Sequence, residues 1–441
     1  MKIDIEKILA KLGFAGLNPM QQDVLHAVLH SDRDVVVLSP TGSGKTLAYL
    51  LPLVQILDAG NDEVQAVVVV PGRELALQSS TVHQSLGSGL RSCSCYGGRM
   101  TMDEHRMLKQ VKPQLVFATP GRLNDHLDKG NIRPGAIKYL IIDEFDKCLE
   151  MGFSAEMQAL IDKLPHVERR MLLSATDAEV IPKFVNMGRS IRIDYLDTDS
   201  QVVERIQLYK VSSPERDKLN TLDHLLRSLG RDSSIVFLNH RDSVERTNDY
   251  LAHQGFTTSM LHGGMDQKKR EAALYKFANG SATVLVCTDL ASRGLDIPDV
   301  DNIIHYHLPE SEQGYVHRIG RTARWQKSGK AFFILGPDET IPTYIHETAE
   351  VYSLPTELSS PAQPRMATLY IGKGKKDKLS KGDVVGFLCR KGGLQGTDIG
   401  RIDVKERYTY VAVSRDKVDS LLTHVLGEKI KGIKTVVERI R

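Results

Sequence analysis

The chain has 441 residues, too many for one ordinary core and suited to two or three domains. Hydrophobic content of 41% and charged content of 26% exclude a disordered chain, and no apolar run nears the length of a membrane span. The net charge of +3 hides an asymmetry: from Met366 onward 17 Lys and Arg face 9 Asp and Glu, while the rest holds 41 and 46.

Taken from the N-terminus, MKIDIEKILA carries acids early and lacks a signal-peptide apolar core. Short Val/Ile/Leu-rich runs then alternate with helical stretches: Val35–Leu38, Val67–Val70, Leu115–Ala118, Leu140–Ile142 and Met171–Leu173. Each run ends in polar or glycine-bearing residues, as buried parallel strands of a βα series do. The alternation resumes with Ile235–Leu238, Val284–Cys287, Asn302–His305 and Ala331–Leu335. The expected domains are therefore residues 1–200 and 205–355, both α/β with parallel sheets, joined by a polar hinge at Asp197–Gln201. The proline- and serine-rich stretch within 356–365 reads as a linker to a small domain at 366–441. Five scattered cysteines show no CxxC pair or metal-ligand cluster, so a reduced, cytoplasmic setting is expected.

The first chemistry-bearing motif is Thr41-Gly42-Ser43-Gly44-Lys45-Thr46, between the strand Val35–Leu38 and the helical run Leu47–Leu57. Glycines let backbone N–H groups turn inward on phosphates beside a helix N-terminus. Lys45 is suited to the β/γ-phosphates, and Thr46 can place its hydroxyl on Mg2+. The second motif, Asp143-Glu144-Phe145-Asp146, follows the run Leu140–Ile142, so its carboxylates belong at the carboxyl end of a strand. Asp143 is expected to hold the metal through water, and Glu144 to take a proton from the attacking water. Near the end of the second domain, Arg318, Arg321 and Arg324 fit either arginine fingers or a basic surface patch.

In the tail, period-two alternation over Thr368–Ile371 and Tyr408–Val413 puts Tyr370, Tyr408 and Tyr410 on one face. Leu369, Ile371, Val411 and Val413 then face the core. Outward aromatics on paired strands are how an RRM stacks unpaired bases, although such tyrosines also occur on ordinary half-exposed strands.

These motifs, in this order, resemble the DEAD-box family of ATP-dependent RNA helicases. The resemblance implies two tandem RecA-like P-loop domains followed by an α+β RRM-like domain, with ATP and Mg2+ as cofactors. It implies adenine recognition by Gln21 and Phe14, and nucleotide contacts from Gly294 and Asp296 in the second domain. It makes Arg321 and Arg324 the fingers, catalytic together with Lys45, Asp143 and Glu144. Coupling of hydrolysis to strand separation falls to Asp146, Ser174, Thr176 and His317. RNA contacts fall to Arg73, Gly98, Thr119 and Arg122 in the first domain and to Arg270 and Thr288 in the second. Three departures stand out: Phe145 replaces the family's alanine, Gly72 a threonine, and Asn18 the threonine before the adenine-reading glutamine. Phe145 either fills a packing gap or displaces Glu144, which would leave an RNA clamp without turnover.

Met366–Ile371, the glycine/lysine run Gly372–Lys381, Gly400-Arg401-Ile402 and Lys429–Gly432 are similar to the RNA-binding domain of the DbpA-type helicases. That likeness implies 23S rRNA in large-subunit precursors as the partner, a bacterial cytoplasm, and a monomer that opens short duplexes. It leaves open whether RNA lies on the tyrosines or on the basic loops. It argues against the remaining alternative, a DNA translocase.

Overall fold

The Val/Ile/Leu-rich runs become strands because both of their faces are covered. The computed structural model describes residues 4–440 apart from 41, 99–100, 178–180, 197–205, 290–299 and 323–327. These form two compact units, one up to residue 196 and one from residue 206 onward. The expected hinge Asp197–Gln201 lies outside the described residues.

In the first unit seven strands form one parallel sheet: β1 Asp34–Leu38, β2 Ala66–Val69, β3 Ser92–Cys95, β4 Leu115–Ala118, β5 Tyr139–Ile142, β6 Arg169–Ser174 and β7 Ser190–Asp194. Their order is β3-β4-β2-β5-β6-β1-β7. Alternate residues feed two cores. Val35, Val37, Val68, Phe117 and Leu173 face one helical layer; Val67, Val69, Val116, Ile142 and Leu172 face the other. Such double burial removes the polar alternation of a half-exposed strand and leaves the unbroken apolar runs seen in the sequence. Strand β3 escaped that reading because its sequence is Ser-Cys-Ser-Cys, buried but not visibly apolar. Strand β7, at the sheet edge, is largely solvated and equally inconspicuous.

The second unit repeats the design with β8 Ile206–Ser212, β9 Ser234–Leu238, β10 Thr258–Leu261, β11 Val284–Thr288, β12 Asn302–His305, β13 Gly329–Leu335 and β14 Glu350–Val351. These too are all parallel, in the order β10-β11-β9-β12-β13-β8-β14. The segment after it has no helix or strand up to Met366, yet it is strapped down. Arg227 donates to the Ser359 carbonyl at 3.0 Å, and Gln363 donates to the Gly255 carbonyl at 2.9 Å.

The tail is an antiparallel sheet of β15 Met366–Ile371, β16 Ile399–Val404, β17 Thr409–Ser414 and β20 Val437–Arg439, in the order β16-β17-β15-β20. A small ribbon of β18 Lys429–Ile430 and β19 Ile433–Lys434 precedes the last strand. Leu369, Ile371, Val411 and Val413 join Val384, Phe387, Leu388 and Leu421 in one core, as the period-two reading expects. The fold class is thus two RecA-like parallel-sheet domains followed by a small RRM-like sheet.

The other face of the tail sheet corrects an expectation. It is covered by the helix Gln267–Ala278 of the preceding domain. The Tyr410 ring lies 5.1 Å from the Tyr275 ring and is only 1% exposed, while Tyr408 donates its hydroxyl to Glu271 at 2.6 Å. The Tyr275 hydroxyl donates to the carbonyls of Arg401 and Tyr410. Lys268 stands 5.1 Å over the Tyr370 ring. In this arrangement Tyr370, Tyr408 and Tyr410 form an intramolecular joint, with Tyr410 closed to a stacking base. The physical reason is that a half-apolar aromatic face is covered by whichever surface complements it, here a helix carrying Tyr275 and Glu271.

Candidate functional site

The functional residues of the first domain gather at the carboxyl ends of its parallel strands, where open α/β sheets bind ligands. The strand order divides that edge in two. Residues following β1, β5 and β6 carry the nucleotide motifs; residues following β2, β3 and β4 carry the motifs expected to grip RNA.

On the nucleotide side, Gly42 and Gly44 have φ of 82° and 90°, a backbone region that disfavours side chains. A Cβ on Gly44 would stand 2.5 Å from Gln21 Nε2, so glycine at this position lets the loop close against Gln21. Lys45 opens the helix Lys45–Ile56 and is buried, with its Nζ donating to the Ser39 carbonyl at 2.5 Å and the Pro40 carbonyl at 2.7 Å. Thr41 lies outside the described residues.

Asn18 proves to be more than a departure. Its Oδ1 accepts from the Gln21 amide at 2.9 Å and its own amide donates to Gln21 Oε1 at 3.1 Å, a reciprocal cap for the helix Pro19–His30. Its Nδ2 also donates to the Ser43 carbonyl at 2.8 Å, and Gln21 Nε2 to the Gly44 carbonyl at 3.3 Å. The amide thus ties the cap to the phosphate loop, a bond that a hydroxyl is too short to copy in this form. An Asn immediately before Pro19 was the legible sign of the cap. Phe14, just past the left-handed Gly13 that ends the first helix, is 40% exposed.

Asp143 and Glu144 follow β5 directly. Burial pushes the Asp143 carboxyl up to about 6, with the neighbouring Lys45 charge pulling it back. Tyr49, on the helix after the phosphate loop, is fully buried beside this carboxyl, and burial together with the Asp143 charge raises its phenol well above the usual value. Sequence inspection did not single it out, since a tyrosine in an apolar helix looks like core. Glu144 adopts φ 52°, ψ 50°, which costs a non-glycine residue about 1–2 kcal/mol and turns the chain sharply into the helix Phe145–Glu150. The Phe145 ring is 1% exposed and belongs to the same buried cluster as Val69, Ala118 and Cys148. Asp146 accepts from Thr176 Oγ1 at 3.0 Å, and Ser174 Oγ donates to the Thr176 carbonyl at 2.6 Å. The acidic motif after β5 and the Ser-Ala-Thr motif after β6 are therefore in direct contact.

On the other half of the edge, the Arg73 guanidinium lies over Gly98, where a Cβ would come within 2.5 Å of Nη1. Gly98, at φ 89°, permits that approach. Thr119 occupies the N-cap position of the helix Pro120–Asp128 without a side-chain cap bond, and Arg122 in its first turn lies 3.4 Å from the buried Glu104, which also accepts from His126 at 2.9 Å.

In the second domain Arg270 donates to the His262 carbonyl at 3.1 Å after β10, and Thr288 ends β11. The three arginines considered together in the sequence separate here. Arg318 is 1% exposed and clamps Asp289 with two bonds of 2.6 Å, the His307 carbonyl at 2.6 Å and Asn239 at 2.9 Å. It is a scaffold that joins strand ends. Arg321 and His317 are also buried, on and just after the helix Glu312–Ile319. Arg324, Gly294 and Asp296 lie outside the described residues.

The glycine cradle and the donor set of Lys45, Thr46 and Asp143 fit a nucleoside triphosphate with a hard divalent cation. No helix among the described residues is long and apolar enough to cross a membrane. Family models match as DEAD/DEAH box helicase over residues 18–184, helicase conserved C-terminal domain over 217–326 and DbpA RNA binding domain over 368–439. The chain is 37% identical to the ATP-dependent RNA helicase DbpA of Escherichia coli (strain K12), covering 96% of this chain and 94% of that one. It is 29% identical to the Bacillus subtilis (strain 168) protein of the same name, covering 99% and 97%. Among solved structures, the DEAD-box helicase Mss116 bound to ssRNA and UDP-BeF matches with a TM-score of 0.70 at 27% identity, covering 77% of this chain and 74% of that one. S. cerevisiae Dbp5 bound to RNA and ADP BeF3 gives 0.66 at 26% identity, covering 75% and 87%. A chain with these motifs at these strand ends, and this likeness along nearly its whole length, belongs to the DEAD-box ATP-dependent RNA helicases with a C-terminal DbpA RNA binding domain.

Proposed function

We propose that this helicase opens short RNA duplexes near a site on 23S rRNA to which its tail is anchored, acting as a monomer in the cytoplasm on large-subunit precursors. The observation that carries the reading is the Asp146–Thr176 hydrogen bond, which joins the acidic motif after β5 to the Ser-Ala-Thr motif after β6.

The roles follow from chemistry. Lys45 and the loop amides hold the β/γ-phosphates, Thr46 and Asp143 hold magnesium, and Glu144 takes the proton of the attacking water. Bound Mg2+ neutralises charge on the phosphates. Phe14 and Gln21 select adenine, while Gly294 and Asp296 contact the nucleotide from the second domain. Arg321 and Arg324 stabilise the charge of phosphoryl transfer, a contribution of about 10³–10⁵ in rate for arginine fingers. His317 joins Asp146, Ser174 and Thr176 in coupling. Arg73, Gly98, Thr119, Arg122, Arg270 and Thr288 grip the RNA strand. Burial of Phe145 in the apolar core supports turnover rather than a hydrolysis-dead clamp. The domain limits 1–200, 205–355 and 366–441 suit this division of labour.

Unwinding is local because each duplex step is worth about 1.4 kcal/mol, so a few kcal/mol of differential binding melts only a few steps. The test is the ATPase rate with 23S rRNA fragments against unrelated RNA of equal length. Stronger stimulation by one 23S fragment supports the anchor; equal stimulation by all RNAs removes it.

A further inference from the structure

The joint between the second helicase domain and the tail leaves a cleft of about 660 Å³ at its margin. Its walls come from both sides: Lys276 of the helix Gln267–Ala278, and Arg415 and Arg439 of the tail. Among the described residues none of these three cations forms an ion pair. Lys276, 9% exposed, donates to the Thr258 carbonyl at 3.2 Å. Arg415 donates to Gln363 Oε1 at 2.9 Å and Thr257 Oγ1 at 3.4 Å, both neutral. Asp419 and Glu438 also line the cleft, but both are exposed and neither pairs with the cations. Burial holds the Lys276 ammonium down to about 8, with Arg439 and Arg415 adding to the fall.

Three converging cations with no carboxylate paired to them destabilise the isolated protein, since desolvated charge is tolerated only when compensated. Compensation by an internal acid is what such a cluster ordinarily shows, and this one lacks it. The volume lies in the range of small-ligand pockets, about 300–1,000 Å³. One lip is apolar, formed by Leu422 and by Leu426, which is 85% exposed. A cationic floor with an apolar lip suits a nucleotide unit, phosphate inward and ribose or base outward.

We propose that this cleft binds the phosphodiester backbone of RNA through Lys276, Arg415 and Arg439. The inference rests on the RNA-helicase reading and adds a contact that both the helicase body and the tail provide. RNA seated there would brace the joint from its margin, while the sheet tyrosines remain inside it. Inorganic phosphate offers the same chemistry in free form, and the experiment separates the two.

Fluorescein-labelled RNA, a hairpin with a single-stranded extension, is titrated with the full chain between about 50 and 200 mM salt, the range over which phosphate contacts are read from the slope. Arg415→Met with Arg439→Met is expected to lower that slope by about 1–2 and to weaken binding several-fold at the lower salt. Arg439→Lys keeps the charge and is expected to keep the slope, and Arg439→Met alone, on the last strand, serves if the double variant does not fold. A wild-type slope in the Met variants overturns the proposal. Displacement of RNA by inorganic phosphate at constant ionic strength in the Met variants as well as in wild type also overturns it, because the competing phosphate then binds elsewhere. RNA stimulation of the wild-type ATPase is measured in the same samples. Its absence strikes at the parent reading, whereas an unchanged slope with stimulation intact strikes only at the cleft.

Discussion

Tyr408 donates its hydroxyl to Glu271 at 2.6 Å, and the other oxygen of that carboxylate accepts from Gln267 at 3.2 Å. Glu271 follows Arg270 directly, so the tail sheet is hydrogen-bonded to the helix that carries Arg270, a residue proposed to contact RNA. The joint therefore lies directly beside Arg270 in the chain.

Tyr408→Phe deletes the hydroxyl and keeps the ring. A hydrogen bond to a charged group contributes about 1.5–3 kcal/mol, so the urea midpoint of the second unit is expected to fall. A base-stacking role predicts no change on this substitution, because phenylalanine stacks as well. An unfolding curve identical to wild type would remove the joint.

Glu144→Gln keeps the shape and removes the base. RNA-stimulated hydrolysis is expected to drop about 10²–10⁴-fold while ATP and RNA binding persist. Lys45→Ala is expected to lose nucleotide binding as well. Steady-state phosphate release paired with nucleotide titration checks both.

Phe145→Ala tests the ring beside the acidic pair. Since the ring is buried in the core, truncation is expected to cost about 3–5 kcal/mol of stability and to bring no gain in turnover. Faster phosphate release by the variant would mean that the ring restrains Glu144 after all.

Thr176→Val removes the donor to Asp146 at nearly constant volume. Strand separation is expected to fall about tenfold, the equivalent of 1.4 kcal/mol, with RNA-stimulated ATPase changed far less. Parallel losses of both would place the bond in catalysis instead of coupling.

Lys276→Met tests the uncompensated charge. The folded protein holds this ammonium near 8, below its ordinary 10.5, through burial first and then Arg439 and Arg415. Between those values the unfolded chain binds a proton that the folded chain does not, so stability rises with pH across that window. Below it both states are charged and the full penalty is present. The variant is therefore expected to melt higher than wild type at pH 7, with the gap closing above about pH 8. Asp419 and Glu438 are the acids that line the cleft, and both are exposed.

What the sequence determined by itself was local. Gly42 and Gly44 with Lys45 and Thr46 specify a phosphate loop because backbone conformation and side-chain chemistry are set within a few residues. The apolar runs announce parallel strands because double burial leaves no polar alternation. Strands such as β3, whose buried face is built of serine and cysteine, carried no such mark. Tertiary structure decided what covers each surface. Period two placed Tyr370, Tyr408 and Tyr410 on one face, but only packing shows that Tyr275 and Glu271 lie against it. Spacing grouped Arg318 with Arg321, but only the fold turns Arg318 onto Asp289 and Asn239. Lys276, Arg415 and Arg439 are more than a hundred residues apart at the extremes, and their convergence is legible only once the two domains meet. Local rules fix a residue's conformation and facing; long-range contacts choose its partner, and in this protein the partners separate scaffold from site.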